Sequence, residues 1–160
     1  MQMTSIKLEV PQDVNLVLGQ SHFIKTVEDV YETLTSSSMS IKFGIAFCES
    51  SGPALIRYDS NDKALEDLAV QFAQKLSAGH VFVVLLRDAY PINVLNRIKM
   101  LDEVVNIYCA TANPVEVILV ETEQGRGVLG VIDGIKSKGV ESEKDRRERH
   151  EFLRKIGYKR

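Results

Sequence analysis

The sequence predicts an α+β (α/β) fold, a single domain in which a mixed β-sheet is covered by helices. Three observations carry that expectation. Strand-length apolar runs are interleaved with segments whose apolar residues recur at helical spacing. One run, Val81 to Leu86 (VFVVLL), is apolar at every position, as suits a central strand covered on both faces. The length of 160 residues, 44% hydrophobic and 26% charged, suits one domain with one substantial core.

Taken in order, Ile6 to Val10 alternates as I-K-L-E-V, and Val14 to Leu18 is a second short apolar run beyond Pro11; both read as strands. Thr26 is a helix N-cap with Asp29 three residues on, followed by Val27, Val30, Tyr31 and Leu34 at helical spacing and a stop at Ser36-Ser37-Ser38. Ile41 to Cys48 and Ala54 to Tyr58 then form a hairpin around the loop in FCESSGP. From Asp62 to Ala78 one helical face carries Leu65, Leu68, Ala69, Phe72, Ala73 and Leu76, and Gly79 is its stop. After VFVVLL, Pro91 suits the first turn of a helix bearing Ile92, Leu95, Ile98 and Leu101, because the amide it lacks has no intrahelical partner there. Strands near Val104 to Cys109, at Val115 to Glu121 and, after the turn QGRG, at Val128 to Asp133 bring the domain to residues 1–140.

Residues 141–160 are a charged C-terminal helix or tail with eight Lys or Arg and five Asp or Glu. Opposite charges stand at i,i+4 in Glu143 and Arg147, Asp145 and Arg149, and Glu151 and Lys155, which fits a solvated helix or a basic partner-binding surface.

A formal net charge of −2 argues against whole-surface attraction to nucleic acid. The opening MQMTSIKLEV lacks the basic and apolar regions of a signal peptide, and no apolar run approaches the roughly 20 residues of a membrane span. The two cysteines, Cys48 and Cys109, lie in apolar strand contexts and read as reduced, packed thiols. The expectation is a cytoplasmic protein with no membrane and no nucleic-acid partner.

Several segments concentrate groups capable of chemistry. Centred on Ser50, C-E-S-S-G lacks the first glycine of a G-x-S-x-G nucleophile elbow, and Gly-Pro and a strand follow it rather than a helix, so the reading as a nucleophile fails. Cys48 has no neighbouring cation or helix start to activate its thiol. Residues 125–130, G-R-G-V-L-G, match G-x-G-x-x-G but run on as a strand, so they form either a tight turn or a turn in which Arg126 and the amides of Gly125 and Gly127 hold an anion. His22 and Lys25 lead into a helix N-terminus, which fits an anion site or a plain cap. His22, His80 and His150 show no zinc spacing, whereas a magnesium ion arriving with phosphates takes only one or two carboxylates, for which Glu49, Asp88 and Asp133 stand at strand ends. The loop Arg87 to Asn93 leaves the central strand where ligands of helix-flanked sheets bind.

Together GQSHFIKTVEDVYETL, FGIAFCESSGPALIRYDSND, AGHVFVVLLRDAYPINVLN and CATANPVEVILVETEQGRGVLGVIDG resemble the small prokaryotic adenosine-specific kinases, over about Gly19 to Gly134. The resemblance implies a compact α/β protein that binds adenosine or an adenine nucleotide (AMP or ATP) and assembles as a homo-oligomer, with a trimer expected. It implies phosphoryl transfer to a ribose hydroxyl, with Mg2+ and ATP, although no Walker A motif is present. Under that reading Asp88 is the base, His22, Lys25, Gly125, Arg126 and Gly127 face phosphate, and Glu49, Ser50 and Asn93 hold the nucleoside. Two alternatives stand beside it: a non-catalytic adenosine or AMP sensor, and a hydrolase or transferase working through His22 or Cys48.

Overall fold

The structure, a computed structural model, describes all residues from Met1 to Arg160. The elements follow in the order β1 (Gln2–Leu8), β2 (Asn15–Ser21), α1 (Thr26–Thr35), β3 (Lys42–Cys48), β4 (Ile56–Ser60), α2 (Lys63–Leu76), β5 (Val81–Arg87), α3 (Pro91–Lys99), β6 (Val104–Thr111), β7 (Val115–Glu121), β8 (Arg126–Asp133) and α4 (Glu143–Lys155). The α+β single domain holds. The single mixed sheet does not: the strands divide into a five-stranded sheet, β4-β3-β5-β2-β6, and a three-stranded one, β1-β7-β8, with every pairing antiparallel.

The reason lies in what separates the crossovers. β4–α2–β5 and β5–α3–β6 each look in sequence like a parallel β-α-β unit. In the sheet, β3 lies between β4 and β5, and β2 lies between β5 and β6. Each pair of like-directed strands is split by an antiparallel neighbour, so no parallel ladder forms.

β5 stands at the centre of the larger sheet and every residue from Val81 to Leu86 is buried. Its side chains alternate between two cores. Val81, Val83 and Leu85 join Ala46, Cys48, α2 and the inner face of the small sheet. Phe82, Val84 and Leu86 join Phe43, Phe47, α1 and α3 on the other side. Burying each such Val, Leu or Phe side chain contributes on the order of 1.5–3 kcal/mol, which makes this strand the main source of cohesion.

Packing of α2 requires small residues beneath it. Gly44, Ala46 and Cys48 occupy the α2 side of β3, and a Cβ on Gly44 would lie 2.3–2.4 Å from backbone atoms of Leu65 and Glu66. The helix therefore rests directly on the strand.

Local signals resolve as follows. Asp62 caps α2 by accepting from the Leu65 amide at 3.1 Å. Its end differs from expectation: Ser77 takes the left-handed conformation (φ 46°), while Gly79 is small because a Cβ there would meet the Ser50 Cβ at 2.8 Å. Thr26 is not a cap either. It is the first residue of α1, fully buried, with its hydroxyl donating to the Phe23 carbonyl and sharing a hydrogen bond with Ser21. α4 forms as expected but with different ion pairs, because Asp145 is drawn into a capping box with Ser142 and Arg149 reaches back to Glu141.

Replacing Gly44 by Ala is expected to lower stability by about 3 kcal/mol or more, the upper range of overpacking costs, since helix backbone rather than a mobile side chain blocks the added methyl. Urea unfolding checks this: the midpoint falls while the slope is unchanged.

Candidate functional site

The two ends of the larger sheet gather different residues. At one end the backbone of His80 bridges its neighbours, its amide donating to the Cys48 carbonyl at 2.7 Å and its carbonyl accepting from the Ser21 amide at 3.0 Å. The β3–β4 loop and the segment leading into α1 therefore flank the same strand, about 10 Å apart by two strand spacings. Asp88 follows the other end of β5, about 20 Å away along a seven-residue strand.

The first end contains a polar cleft of about 400 Å³ lined by Ser50, Gly79, Thr122, Gln124 and the turn Gly125-Arg126-Gly127. It continues into a space of about 230 Å³ against Glu49, Ala54 and Ser77. Three loops meet here: β3–β4, α2–β5 and β7–β8. The missing side chain of Gly79 lets the first two close on each other at Ser50. No atom lies within 4 Å of a Cβ built on Gly125, so that glycine leaves open floor in the cleft.

Backbone strain collects in these loops. Of the four non-glycine residues with positive φ, Ala54 (50°), Ser77 (46°) and His80 (63°) belong to the loops that form the cleft. Such conformations cost free energy and concentrate at ligand sites. The fourth, Asp88 (59°), stands at the opposite end beside a second pocket of about 480 Å³ lined by Asp13, Asn15, Tyr90 and Ala112.

The charged side chains of the first end also hold the loops in shape. Glu49 Oε2 accepts from the Leu55 amide at 3.2 Å and from Arg57 Nη2 at 3.0 Å, closing the β3–β4 loop and holding the carboxyl below the usual carboxylate range, the amide first and the guanidinium second. Arg126 is fixed by Glu121 at 2.9 Å and by the Lys75 and Leu76 carbonyls that end α2.

Lys25 is less free than its position in sequence implies. Its ammonium pairs with Asp29 and lies 3.3 Å from Oε2 of the fully buried Glu103, and both carboxylates, Asp29 foremost, raise its pKa. Glu28 and Asp29 put negative charge in the first turn of α1, which opposes an anion there. His22 is exposed and stacks on Phe23. The paired anion site of His22 and Lys25 is therefore not assembled within the chain.

Asn93 has a structural task, its side-chain oxygen accepting from the Tyr90 amide at 2.9 Å to cap α3. Cys48 and Cys109 are buried, and burial pushes their thiols up to about 11 and about 12, as expected of inert packed cysteines. His80 is half-buried and stacked on Phe47 with ring centroids 5.8 Å apart.

The structure thus unites Glu49, Ser50, Gly125, Arg126 and Gly127, leaves His22 and Lys25 at the same sheet end, and separates Asp88 and Asn93. Sequence reading missed Ser77, Gly79, Thr122 and Gln124 in the cleft, Asp13 and Asn15 beside Asp88, and Glu103 beneath Lys25. Only the Ser77–Gly79 loop carried a signal, and that signal read as a helix stop.

Glu49→Gln is expected to lower the urea midpoint at pH 7. A carboxyl whose folded pKa is depressed contributes stability above its unfolded pKa and loses it as pH falls through the folded value, so the difference between variant and parent shrinks in acid. A difference independent of pH would show that loop closure at Glu49 is not electrostatic.

The comparisons with known proteins bear on this arrangement. The family described as adenosine specific kinase matches residues 6–159, beyond the stretch on which the resemblance rested and through the charged tail. The crystal structure of PH1918 protein from Pyrococcus horikoshii OT3 superposes with a TM-score of 0.95 at 47% identity, covering 99% of this chain and 98% of that one. No match was found among curated proteins. On the family match over nearly its whole length, the chain belongs to the adenosine specific kinase family.

Proposed function

We propose that this protein binds adenosine or an adenine nucleotide in the cleft between the β3–β4 loop, the α2–β5 loop and the β7–β8 turn, and that it phosphorylates adenosine from ATP. The observation that carries this reading is the convergence of strained loops on a polar cleft whose floor, at Gly125, nothing in the chain occupies. Membership of the family supports the choice of adenosine and ATP. Ser50 and the free Oε1 of Glu49 face the nucleoside, and the amides around Gly125 and Gly127, with Arg126 behind them, face phosphate.

Transfer needs a carboxylate to take the ribose hydroxyl proton as its oxygen attacks the γ-phosphorus and the bond to the leaving ADP oxygen breaks. No three of His, Cys, Asp or Glu gather to hold a metal on their own. The exposed Asp88 suits the base, or a single carboxylate ligand for a magnesium ion that would arrive with ATP and supply charge neutralisation at the phosphates. Asp88 lies about 20 Å from the cleft of its own chain, so in this reading it serves the cleft of a second copy. Head-to-tail contact of that kind closes into a ring, and a trimer is the simplest beyond a pair. The same separation favours a second reading, an adenosine or AMP sensor without chemistry.

Calorimetry tests the ligand. Adenosine is expected to bind saturably, and Gly125→Leu, which has room to fold but fills the cleft, is expected to weaken it at least ~10-fold. Unaltered affinity in that variant would move the site elsewhere.

Asp88→Asn is expected to abolish release of ADP while adenosine binding persists. Co-assembling it with Gly125→Leu is expected to restore turnover, since each mixed oligomer then holds some clefts with both parts intact. Binding with no adenosine-dependent ADP release from the parent protein would select the sensor.

A further inference from the structure

Two apolar faces of this chain have no cover. The first is on α4. That helix has no buried residue and packs on no other element, yet Phe152 and Ile156 stand one turn apart on its surface, 57% and 43% exposed, with Leu153 beside them. The connecting segment adds Ile135 and Val140, 78% and 98% exposed.

The second is the outer face of the small sheet. Val115, Val117 and Leu119 of β7 point into the core, so Ile118 and Val120 point away from it. By register Met3 is opposite Val120, Gly130 is opposite Ile118 and Gly127 is opposite Val120, while Ile132 is opposite Glu116. Met3 and Ile132 are 69% and 50% exposed, and Leu129 at the bulge is 61%.

Glycines inside a strand weaken it and mark places where another backbone comes close. A Cβ on Gly130 would meet nothing within 4 Å, and one on Gly127 would touch only Val120. Nothing in this chain requires those glycines to be small. They make a shallow apolar trough across a sheet that no helix covers on that side.

Charge points to the occupant. The segment 141–160, with eight basic and five acidic residues, carries +3; the remaining twelve basic and seventeen acidic residues carry −5, which together give the −2 of the whole chain. A basic arm on an acidic body is complementary to another copy of itself. At the edge of the trough Glu116 pairs with Lys7 at 3.6 Å and accepts from the Ser5 hydroxyl at 2.9 Å, so the charge complementarity is that of the whole body and arm rather than of one residue. The superposition on the PH1918 structure, at 0.95 over 99% of this chain, includes the arm, so its outstretched pose is shared.

We propose that the C-terminal arm, residues 135–160, docks α4 of one chain onto the outer face of β1-β7-β8 of a second copy, Phe152 and Ile156 filling the trough at Gly130, Leu129 and Ile132, clear of the edge at Gly127 that belongs to the cleft. The arm thereby links subunits head to tail. This deepens the assembly part of the proposed function and is independent of what the cleft binds.

Sedimentation of the full chain tests it. The parent is expected to be larger than its 17.9 kDa monomer and to dissociate as salt rises. Phe152→Ser with Ile156→Ser, and separately Leu129→Ser with Ile132→Ser, are expected to raise the dissociation constant at least ~10-fold each. Combining all four adds little further, because both pairs remove one contact. Adenosine binding measured on the same variants separates loss of assembly from loss of the ligand site.

A disulfide gives a second reading that does not depend on the serine variants folding. Chains carrying Ile156→Cys, mixed with chains carrying Ile132→Cys and oxidised with copper phenanthroline, are expected to form a bond between the two kinds of chain; the native thiols are buried. A monomeric parent, unchanged assembly in either double variant, strictly additive losses, or no bond between the two chains would each overturn the proposal.

Discussion

The burial of β5 on both faces is the constraint from which the other elements take their places. A strand apolar at every position cannot lie at an edge or face water on one side, so it needs strands on both flanks and cover above and below. α1 and α3 supply one cover, α2 with the small sheet the other. The closeness of the second cover depends on Gly44 and Ala46, which leave room for the α2 backbone against β3. Because both crossovers skip one strand, the loops at the two ends of β5 are held apart by its length.

That separation organises the chemistry. One end collects the loops that form the cleft and three of the four strained non-glycine residues; the other holds Asp88, the fourth. The candidate residues near these loops have internal duties as well. Glu49 closes its loop, Arg126 caps the carbonyls of α2, Lys25 neutralises a buried carboxylate, and Asn93 caps α3. A polar side chain with one internal bond is held in a fixed direction, which is what positioning a ligand demands. Lys25, flanked by Asp29 and Glu103, has gone further and has little charge left to offer.

The arm is governed by a different balance. A helix whose interior hydrogen bonds and i,i+4 pairs are its main support is marginal alone, and burial of one face is what usually stabilises it. α4 has a capping box, several ion pairs and no buried residue, while the small sheet has an apolar face and no helix. The two deficits are of the same kind and on the same chain, and the arm is net basic where the rest of the chain is net acidic.

By itself the sequence determined the order and type of the elements, the central strand, the single α+β domain, the inert cysteines and the family, because these rest on local periodicity, turn chemistry and motif order. VFVVLL, Asp62 before its helix and Pro91 at the start of another are readable wherever they fall. Only the tertiary structure decided which strands are neighbours, and so replaced one mixed sheet by two antiparallel ones. It alone revealed that Gly79 is small for Ser50, that Glu103 lies buried beneath Lys25, and that Asp88 and Arg126 are at opposite ends. The physical reason is the same in each case: pairing order and side-chain partners are set by contacts between residues far apart in the chain, and no local pattern records them.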